Sequence, residues 1–467
     1  MNVTIQNALL PTKTGYQTCD VQVTGDKITA IAAALEPQGK AIDATHKLLL
    51  PGFFNAHTHS SEMWQRGAIA PLPLELWLSE LYSSPDLTPE KIYLSALGTA
   101  VETLLSGGTS VIDHLVMPPG QELEAIAAVV RGYREVGIRA FVAPLVQDLA
   151  AKEGLPSGNH KTDYQPYSQS TAEILAWMET AIKQFHRPEE GISLMVGPTG
   201  LQLCTDELFQ GCITLSDRYS LCRHTHLLET KAQQRLAYEK YGHSAVEHLS
   251  RLGFLGPQTS LAHCVWLDQA DIPVLAASGA SVVHNPLSNL RLGSGIAPIL
   301  QYRQAGINVT FGCDGTASND SQDILEAIKI GTLLHNTTEP DYQHWITPTQ
   351  AIAMATQGGA RAVNLSSQLG ILTVGQQADF VLYDLTSLAL LPPTDPVGLL
   401  VMGRPVNSVD SIWVRGRQLV EAGQVLSTDI SQLRQRFLTT NQWQRRPLNA
   451  ATAQLAHHYR AVMGLAN

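Results

Sequence analysis

The sequence contains no CxxC pair, although six cysteines are spread over its 467 residues. Scattered cysteines argue against a disulfide framework and against a zinc finger, and they predict reduced core residues in a cytoplasmic protein. No run of about 20 apolar residues occurs, which excludes a membrane-spanning helix. The first residues lack a basic segment followed by an apolar one, so no secretory signal is predicted.

The sequence also has no excess of positive charge. The formal net charge is −10 and only 15% of the residues are charged, which argues against a nucleic acid or an anionic membrane as partner. The composition is that of a globular protein, because 44% of the residues are hydrophobic. A chain of this length exceeds one ordinary domain and is able to bury a large core.

The middle of the chain alternates between short apolar runs and segments of helical periodicity, such as 92–105, 123–136, 171–185 and 324–335. Eight β-α alternations over about 250–300 residues predict one TIM barrel. A doubly wound open sheet is the alternative, but it usually carries a glycine-rich phosphate loop after an early strand, and none is present. The eight runs are 47–55, 109–113, 138–143, 192–197, 221–226, 260–264, 280–284 and 307–314.

Both ends of the chain show the two-residue period of short β-strands instead. The first 46 residues include a hairpin-type turn at Gly25-Asp26, and the same period returns after about residue 370. We expect one small β-sandwich built from both termini beside an α/β (β/α)8 barrel. The expected boundaries are 1–50 for the first part of the sandwich, 51–368 for the barrel, and 369–467 for the second part with a C-terminal helical segment.

Metal-type side chains stand at the predicted carboxyl ends of four strands, where barrel active sites lie. His57 and His59 close the first run, and residues i and i+2 of a strand share a face, so both imidazoles point to one side. His226 ends the fifth run, His263 the sixth and Asp314 the eighth. One such pair alone also fits two surface histidines. Four strand ends together favour a zinc or ferrous iron site with a position open for water.

The segments around these residues resemble the amidohydrolase superfamily, and within it the ATZ/TRZ branch of aminohydrolases and chlorohydrolases. The resemblance runs from about residue 3 to 425 and includes the split β-sandwich. It is carried by PGFFNAHTH at 51–59, HLLET at 226–230, LAHC at 261–264, HNPLSNL at 284–290 and CDGTASND at 313–320. It implies one divalent metal ion per chain, zinc or alternatively iron. The implied ligands are His57, His59, His226 and Asp314.

The remaining roles follow from chemistry. A divalent metal ion lowers the pKa of its bound water to about 7, so the expected reaction is attack of metal-bound hydroxide on a ring carbon. Asp314 accepts the water proton, Glu229 delivers a proton to a ring nitrogen, and His263 hydrogen-bonds the attacking oxygen. The alternatives are an exposed first-turn helix glutamate for Glu229 and a satisfied core histidine for His263. His224 shares a face with His226 and is interpreted as a supporting residue.

The fourth run has no lysine or glutamate. Members of the superfamily with two metal ions bridge them through a lysine carbamate or a glutamate at the end of the fourth strand, whereas residues 192–200 read ISLMVGPTG. The resemblance therefore favours a single ion. A single ion favours deamination or dechlorination over ring-opening amide hydrolysis.

The substrate is expected to be a small nitrogen-rich ring of purine, pterin, pyrimidine or triazine type. Nucleoside deaminases of this branch carry a histidine after the fourth strand and a ribose-binding glutamate before a Leu-Thr helix start. This chain has Thr199 and a segment 82–88 without glutamate, which weakens a nucleoside of S-adenosylhomocysteine or methylthioadenosine type. Five side chains fit either ring binding or ordinary packing: Trp64, Gln65, Trp77, Gln202 and Asn289.

Three functions stay open. The first is a deaminase that releases ammonia from such a ring. The second is a triazine-type hydrolase that expels chloride or an alkylamine. The third is a non-catalytic scaffold, although scaffolds typically lose metal ligands and none is missing here. The resemblance also implies a homodimer.

Overall fold

The structure is a computed structural model that describes residues 2–82, 87–150, 154–156, 169–440 and 448–465. Among these residues, no helix has the length and apolar character needed to cross a membrane. The strands are β1 (Asn2–Thr12), β2 (Gly15–Thr24), β3 (Lys27–Ala32), β4 (Lys40–Asp43), β5 (Lys47–Pro51), β6 (Phe53–Thr58), β7 (Gly108–Leu115), β8 (Arg139–Val146), β9 (Ile192–Leu194), β10 (Gly197–Pro198), β11 (Arg223–Leu227), β12 (Thr259–His263), β13 (Ser281–His284), β14 (Asn308–Phe311), β15 (Phe380–Asp384), β16 (Val409–Val414), β17 (Arg417–Glu421) and β18 (Gln424–Val425).

Helices lie between the strands and follow them at the C-terminal end. They are α1 (Leu74–Tyr82), α2 (Pro89–Leu105), α3 (Glu122–Val136), α4 (Thr171–Phe185), α5 (Asp206–Tyr219), α6 (Lys231–Tyr241), α7 (Ala245–Leu252), α8 (Asp271–Ser278), α9 (Pro286–Arg291), α10 (Ile299–Gln304), α11 (Ile324–Leu333), α12 (Pro348–Ala353), α13 (Gly359–Ala362), α14 (Pro396–Gly403), α15 (Ile430–Thr440) and α16 (Ala450–Met463).

Strands β6 to β14 form a parallel barrel. β6, β7 and β8 pair in order, β9 and β10 both pair with β8, and β11 to β14 pair in order. The two halves join at a bridge between Val196 and Arg223, and at a hydrogen bond of 2.8 Å from Asp314 N to His57 O. With β9 and β10 taken as one interrupted strand, the described strands close an eight-stranded barrel. The predicted (β/α)8 fold is confirmed.

A second sheet contains strands from both ends of the chain. β5 pairs antiparallel with β15, with Pro51 opposite Phe380. The Gly25-Asp26 turn joins β2 to β3 as predicted, and Gly25 has the positive φ of 65° that such a turn requires. A core separate from that of the barrel lies against this sheet, formed by Val3, Ile5, Ala8, Val21, Val23, Ile28, Ala44, Leu49, Ala378, Phe380, Leu382 and Trp413. The expected terminal β-sandwich is confirmed, while the three domain boundaries stay a prediction.

Two of the predicted barrel runs are interrupted. The run 47–55 is divided at Gly52, so that β5 belongs to the terminal sheet and only β6 enters the barrel. A Cβ on Gly52 would lie 2.1 Å from Thr109 Oγ1, so only glycine fits where the chain passes from one sheet to the other. The run 192–197 is divided into the short strands β9 and β10.

Four predicted helical segments are present as α2, α3, α4 and α11. α4 has the predicted bounds because Ser170 and Glu173 form a capping box at its start. α11 ends at Leu333, two residues before the predicted end, and a short 3-10 turn follows. The predicted C-terminal helical segment contains α15 and α16, and α16 packs against α1, where Thr452 Oγ1 lies 3.0 Å from Ser79 Oγ.

A buried ion pair joins the barrel to the terminal sheet. Arg139 of β8 donates Nε to Asp379 Oδ2 at 3.0 Å and Nη2 to Oδ1 at 3.1 Å. The two side chains are 5% and 4% exposed. Asp379 directly precedes β15 and also accepts a hydrogen bond of 2.7 Å from Arg415 N. Loss of one partner leaves the other charge buried without compensation.

We expect Asp379→Ala to lower the free energy of unfolding by about 3–5 kcal/mol, measured by urea titration followed by tryptophan fluorescence. Glu421→Ala is the control, because it removes an exposed ion pair. The side chain of Lys40 is 52% exposed and that of Glu421 is 50% exposed. Exposed pairs contribute about 0–1 kcal/mol. Equal losses in the two variants would contradict a special role for the buried pair.

Candidate metal centre and catalytic pocket

The four predicted metal ligands meet at the carboxyl end of the barrel. His57 lies in β6 and His59 just after it, His226 lies in β11, and Asp314 follows β14. The Nε2 atoms of His57 and His59 each lie 3.4 Å from Asp314 Oδ1. The Nε2 atoms of His59 and His226 lie 3.2 Å apart. His57, His59 and Asp314 form a buried cluster whose ligand atoms are close enough to hold one metal ion.

Hydrogen bonds determine which nitrogen of two ligand rings carries the hydrogen. Nδ1 of His59 lies 2.6 Å from the backbone O of His114, and Nδ1 of His226 lies 2.7 Å from the backbone O of Thr199. A carbonyl oxygen only accepts, so each Nδ1 donates and each Nε2 presents a lone pair. The two lone pairs therefore face each other.

His57 is oriented in the same way through a longer relay. Ser260 Oγ donates to the backbone O of Arg223 at 3.3 Å and accepts from His224 Nδ1 at 2.7 Å. His224 Nε2 then accepts from His57 Nδ1 at 2.7 Å, which leaves a lone pair on His57 Nε2. That atom is buried and has no hydrogen-bond partner among the described residues. His224 thus supports a predicted ligand, which agrees with its interpretation from the sequence as a supporting residue.

This arrangement fits a divalent metal ion. Burial lowers the pKa of His57 to about 4 and the pKa of His226 well below its ordinary value, so both rings are neutral at pH 7. The lone pairs of the neutral rings point toward the carboxylate of Asp314. These electron-rich atoms repel one another unless a cation lies between them. In a tetrahedral site with ligand distances of about 2.0–2.1 Å, ligand atoms lie about 3.4 Å apart. The separations here are 3.2–3.4 Å.

The backbone of Asp314 has a left-handed conformation, with φ of 64°. Such strain persists only where surrounding contacts hold it, and it clusters at functional sites. Gln322 Nε2 donates to Asp314 O at 2.7 Å, and Gln322 Oε1 accepts from Asn55 Nδ2 at 2.8 Å. Sequence reasoning missed Gln322, because nothing in its local pattern distinguishes it from a surface glutamine.

Glu229 turns back over the pocket. Leu228, with φ of 48°, reverses the chain after β11, and Glu229 is only 3% exposed. Helix α6 is capped by Thr230, so the alternative of an exposed glutamate in the first helical turn is wrong. Burial raises the pKa of Glu229 to about 7, against the opposing effect of His263. Both protonation states of this carboxyl group are therefore accessible near neutral pH.

His263 lies between two acidic side chains at the end of β12. Its Nε2 is 3.5 Å from Glu229 Oε2 and 3.9 Å from Asp314 Oδ2. Its Nδ1 lies 2.9 Å from Asn289 Oδ1, and its φ of 74° is again left-handed. His263 therefore faces the pocket. Asn289, predicted as a substrate contact, holds His263 instead and is not among the residues that line the cavity.

The pocket opens into a cavity at the carboxyl end of the barrel. Trp77 and Gln202, both predicted as substrate contacts, lie in its wall together with His59 and Asp314. The structure does not bring Trp64 and Gln65 into this wall. The indole Nε1 of Trp64 instead donates to the backbone O of Lys91 in α2 at 3.0 Å.

The sequence departs from nucleoside deaminases at Thr199 and in the segment 82–88. Thr199 replaces the expected histidine and lines the cavity, where its carbonyl also orients His226. Residues 83–86 of the segment 82–88 lie outside the residues that the structure describes. Thr88 caps helix α2.

Two further polar groups in the pocket were not identified from the sequence. Glu62 lines the cavity, and its buried Oε2 has no hydrogen-bond partner in the described part of the chain. Burial and the nearby Asp314 raise the pKa of Glu62 well above its ordinary value. His114 is the penultimate residue of β7 and donates from Nε2 to Gly197 O at 3.0 Å, while its buried Nδ1 has no hydrogen-bond partner among the described residues. The position of His114 near a strand end is the same sequence signal that identified the other site residues. Glu62 gave no such signal, because it lies in a 3-10 segment after the strand.

A barrel that carries three imidazoles, an aspartate and a buried glutamate at its carboxyl end defines a metal-dependent hydrolase. The sequence profile described as "Amidohydrolase family" matches residues 48–419, and the chain belongs to this family, as predicted.

Two curated relatives are similar over most of their length. The 5'-deoxyadenosine deaminase of Methanosarcina barkeri is 32% identical over 414 residues, which covers 88% of this chain and 89% of that protein. The 8-oxoguanine deaminase of Pseudomonas aeruginosa is 32% identical over 409 residues, covering 85% and 88%. Among solved structures, atrazine chlorohydrolase TrzN from Arthrobacter aurescens TC1 complexed with zinc has a TM-score of 0.86 and 26% identity, covering 94% of this chain and 99% of that one.

Proposed function

We propose that this protein is a metal-dependent hydrolytic deaminase of a purine-type heterocycle. The observation that carries the proposal is the convergence of three imidazole lone pairs and Asp314 beside the buried Glu229. The surface of the cavity beside these groups is mainly apolar, with polar groups among the apolar side chains, as small-molecule sites usually are. The names of both curated relatives describe deaminases of purine compounds, which supports the same reaction on a cyclic amidine here.

One divalent ion is proposed for the site, with His57, His59, His226 and Asp314 as its ligands. Three imidazoles and one carboxylate suit zinc, and the zinc complex of the related chlorohydrolase supports this choice over iron. A bound divalent ion supplies an activated water at neutral pH. β9 and β10 contain no lysine or glutamate that would bridge a second ion, which supports a single one.

The chain's own groups account for the proton transfers. Asp314 accepts the proton of the attacking water. Glu229, whose pKa is about 7, transfers a proton to the ring nitrogen next to the attacked carbon. His263 hydrogen-bonds the oxygen that adds to this carbon, from a position 3.5 Å from Glu229.

Three side chains of the cavity wall are proposed as substrate contacts. Trp77 offers an aromatic face, and its ring is held because Nε1 donates to Ala317 O at 3.3 Å. Gln202 and Glu62 offer polar groups to the edge of the ring. A planar purine presents both an aromatic face and a polar edge, which matches this wall.

A triazine-type hydrolase that expels chloride or an alkylamine is the second candidate. The likeness of the whole fold to atrazine chlorohydrolase favours it, since both reactions use the same attack on an electron-poor ring carbon. The two candidates differ only in the leaving group. The homodimer stays a prediction.

The direct test combines metal analysis with product analysis. We expect one zinc ion per chain and ammonia release from at least one purine in a panel that contains guanine, 8-oxoguanine and 5'-deoxyadenosine. A chlorotriazine is included to measure chloride release.

Each other outcome excludes part of the proposal. Two ions per active chain would contradict the single-metal site. Chloride release without ammonia from any purine would replace the deaminase by the second candidate. A fully metal-loaded protein that releases neither product from the panel would overturn both assignments of substrate.

A further inference from the structure

One stretch of chain contacts both proton-handling side chains of the pocket. Asn289 in α9 holds His263 Nδ1 at 2.9 Å. Ser294, five residues further on, places its Oγ 3.1 Å from Glu229 Oε1. The same segment therefore contacts both Glu229 and His263. Ser294 has no role in the proposed reaction as described above.

The backbone at Ser294 is anchored on both sides. Its N donates to Asn289 O at 2.8 Å, and its O accepts from Trp266 Nε1 at 2.7 Å. The flanking Gly293 and Gly295 have φ of 65° and 122°, which favour glycine. Ser294 itself is 4% exposed. Its hydroxyl thus has a defined position and little access to water.

The direction of this hydrogen bond decides which oxygen of Glu229 carries a proton. In the part of the chain that the structure describes, Glu229 Oε1 is the acceptor within reach of the Ser294 hydroxyl. An oxygen that already accepts this hydrogen is the poorer place for a second one, so the proton lies on Oε2. Oε2 is 3.5 Å from His263 Nε2.

We propose that Ser294 is a positioning residue for proton transfer, whose hydroxyl holds Oε1 of Glu229 so that the transferred proton is carried on Oε2. The inference rests on the proposed function, in which Glu229 protonates the ring. In the step, the O–H bond at Oε2 breaks, its electron pair stays on the carboxylate, and an N–H bond forms at the ring nitrogen. The carboxylate left behind keeps the hydrogen bond from Ser294, which stabilises its charge.

The charged groups that face Glu229 set the direction of the expected pH effect. They are His263 from β12, Asp314 after β14, Glu75 from α1 and Glu62 from the 3-10 segment after β6. Burial, Asp314 and Glu75 favour the protonated acid, whereas His263 and Ser294 favour the carboxylate. Loss of the hydroxyl therefore raises the pKa of Glu229. Activity that needs the protonated form is present below this pKa and lost as pH rises through it, so the basic limb moves to higher pH.

The experiment compares Ser294→Thr with Ser294→Val, two side chains of equal shape of which only threonine keeps a hydroxyl. The valine variant is expected to lose roughly tenfold in kcat at neutral pH. The basic limb of its kcat/KM profile should rise by about one pH unit, while KM changes less than twofold. The threonine variant should keep the original profile, because the donor is retained.

Ser288→Ala is the matched control. Ser288 lies in α9, and its buried Oγ has no hydrogen-bond partner among the described residues, so removal of this hydroxyl should leave kcat and the pH profile unchanged. A second readout is the infrared C=O band of protonated Glu229, identified by difference from Glu229→Gln. In Ser294→Val this band should persist to higher pH than in Ser294→Thr.

Failure of the inference is distinguishable from failure of the proposed function. Identical pH profiles and identical infrared titrations in the threonine and valine variants would overturn the role of Ser294 while leaving an inactive Glu229→Gln unaffected. Near-normal turnover of Glu229→Gln would instead remove the proposed function of Glu229, and the role of Ser294 with it.

Discussion

Replacing His57 by alanine is expected to remove the bound metal ion and the activity together, and His226→Ala should do the same. Each residue supplies one of only four proposed ligands, and each presents a lone pair on Nε2 toward the centre. Loss of one ligand from such a set leaves the ion weakly held, and the activated water is lost with it. Elemental analysis and ammonia release on the same preparation measure both effects.

His335→Ala separates loss of a ligand from loss of a buried imidazole. His335 is 1% exposed, and the ring that it meets is His284, with 3.4 Å between their Nε2 atoms. Its replacement should lower stability but leave one metal ion per chain. Full metal content in His57→Ala and His226→Ala would contradict the ligand set.

Glu229→Gln is expected to keep the metal ion and the fold but to lose most turnover. The amide has nearly the size of the acid, so packing is preserved, but it does not transfer a proton. General acid–base groups typically contribute about 10²–10⁴-fold, and a loss of at least that order is expected. Steady-state ammonia release at saturating substrate, with metal content measured in parallel, tests this.

Asp314→Asn should be at least as damaging, because Asp314 is proposed both to bind the metal ion and to accept the water proton. The two variants should therefore agree in inactivity and differ in metal content. Glu75→Gln is the control for Glu229→Gln: Glu75 is a neighbouring buried glutamate that accepts a hydrogen bond from Thr230, and its replacement should keep turnover within a few-fold. Near-normal kcat in Glu229→Gln would show that this glutamate transfers no proton.

The positions of the proposed metal ligands were predictable because the geometry of a strand is local. A separation of two residues places His57 and His59 on one face, and parallel strands of a barrel end on the same side, which brings Asp314 to them. These two rules need no knowledge of distant contacts. The family motifs added the proposed role of Glu229, and the chain reversal at Leu228 that precedes it is a feature of one short segment.

The partners of these residues were not predictable, because they come from distant parts of the chain. Ser294 is 65 residues from Glu229, and Gln322 is 267 residues from Asn55. Each occupies an irregular segment in which period and capping rules give no direction for a side chain. The substrate contacts show the same limit. Trp77 lines the cavity and Trp64 does not, although the sequence offered equal reasons for both.

The interruption of the run 47–55 has a similar cause. Residues 48–54 of this run are all apolar, proline or glycine, and the pattern favoured one strand. The break at Gly52 follows from the close approach of Thr109, a contact between two segments that only the packed barrel brings together. The sequence contains the Pro-Gly pair at 51–52, but whether such a pair bends a strand or separates two sheets depends on what lies beside it.

The sequence by itself determined the barrel, the terminal sheet, the family and the identity of the residues at the strand ends, because periodicity and motif spacing are properties of the chain alone. Tertiary structure decided the protonation of the rings, since the carbonyl oxygens of His114 and Thr199 are what make Nδ1 the donor in His59 and His226. It also decided the pKa of Glu229 near 7, because that value depends on burial and on charged groups from distant parts of the chain. The burial of a side chain and the electrostatic field at it depend on all residues that surround it in space. Most of these residues are distant in the sequence and are brought close only by folding.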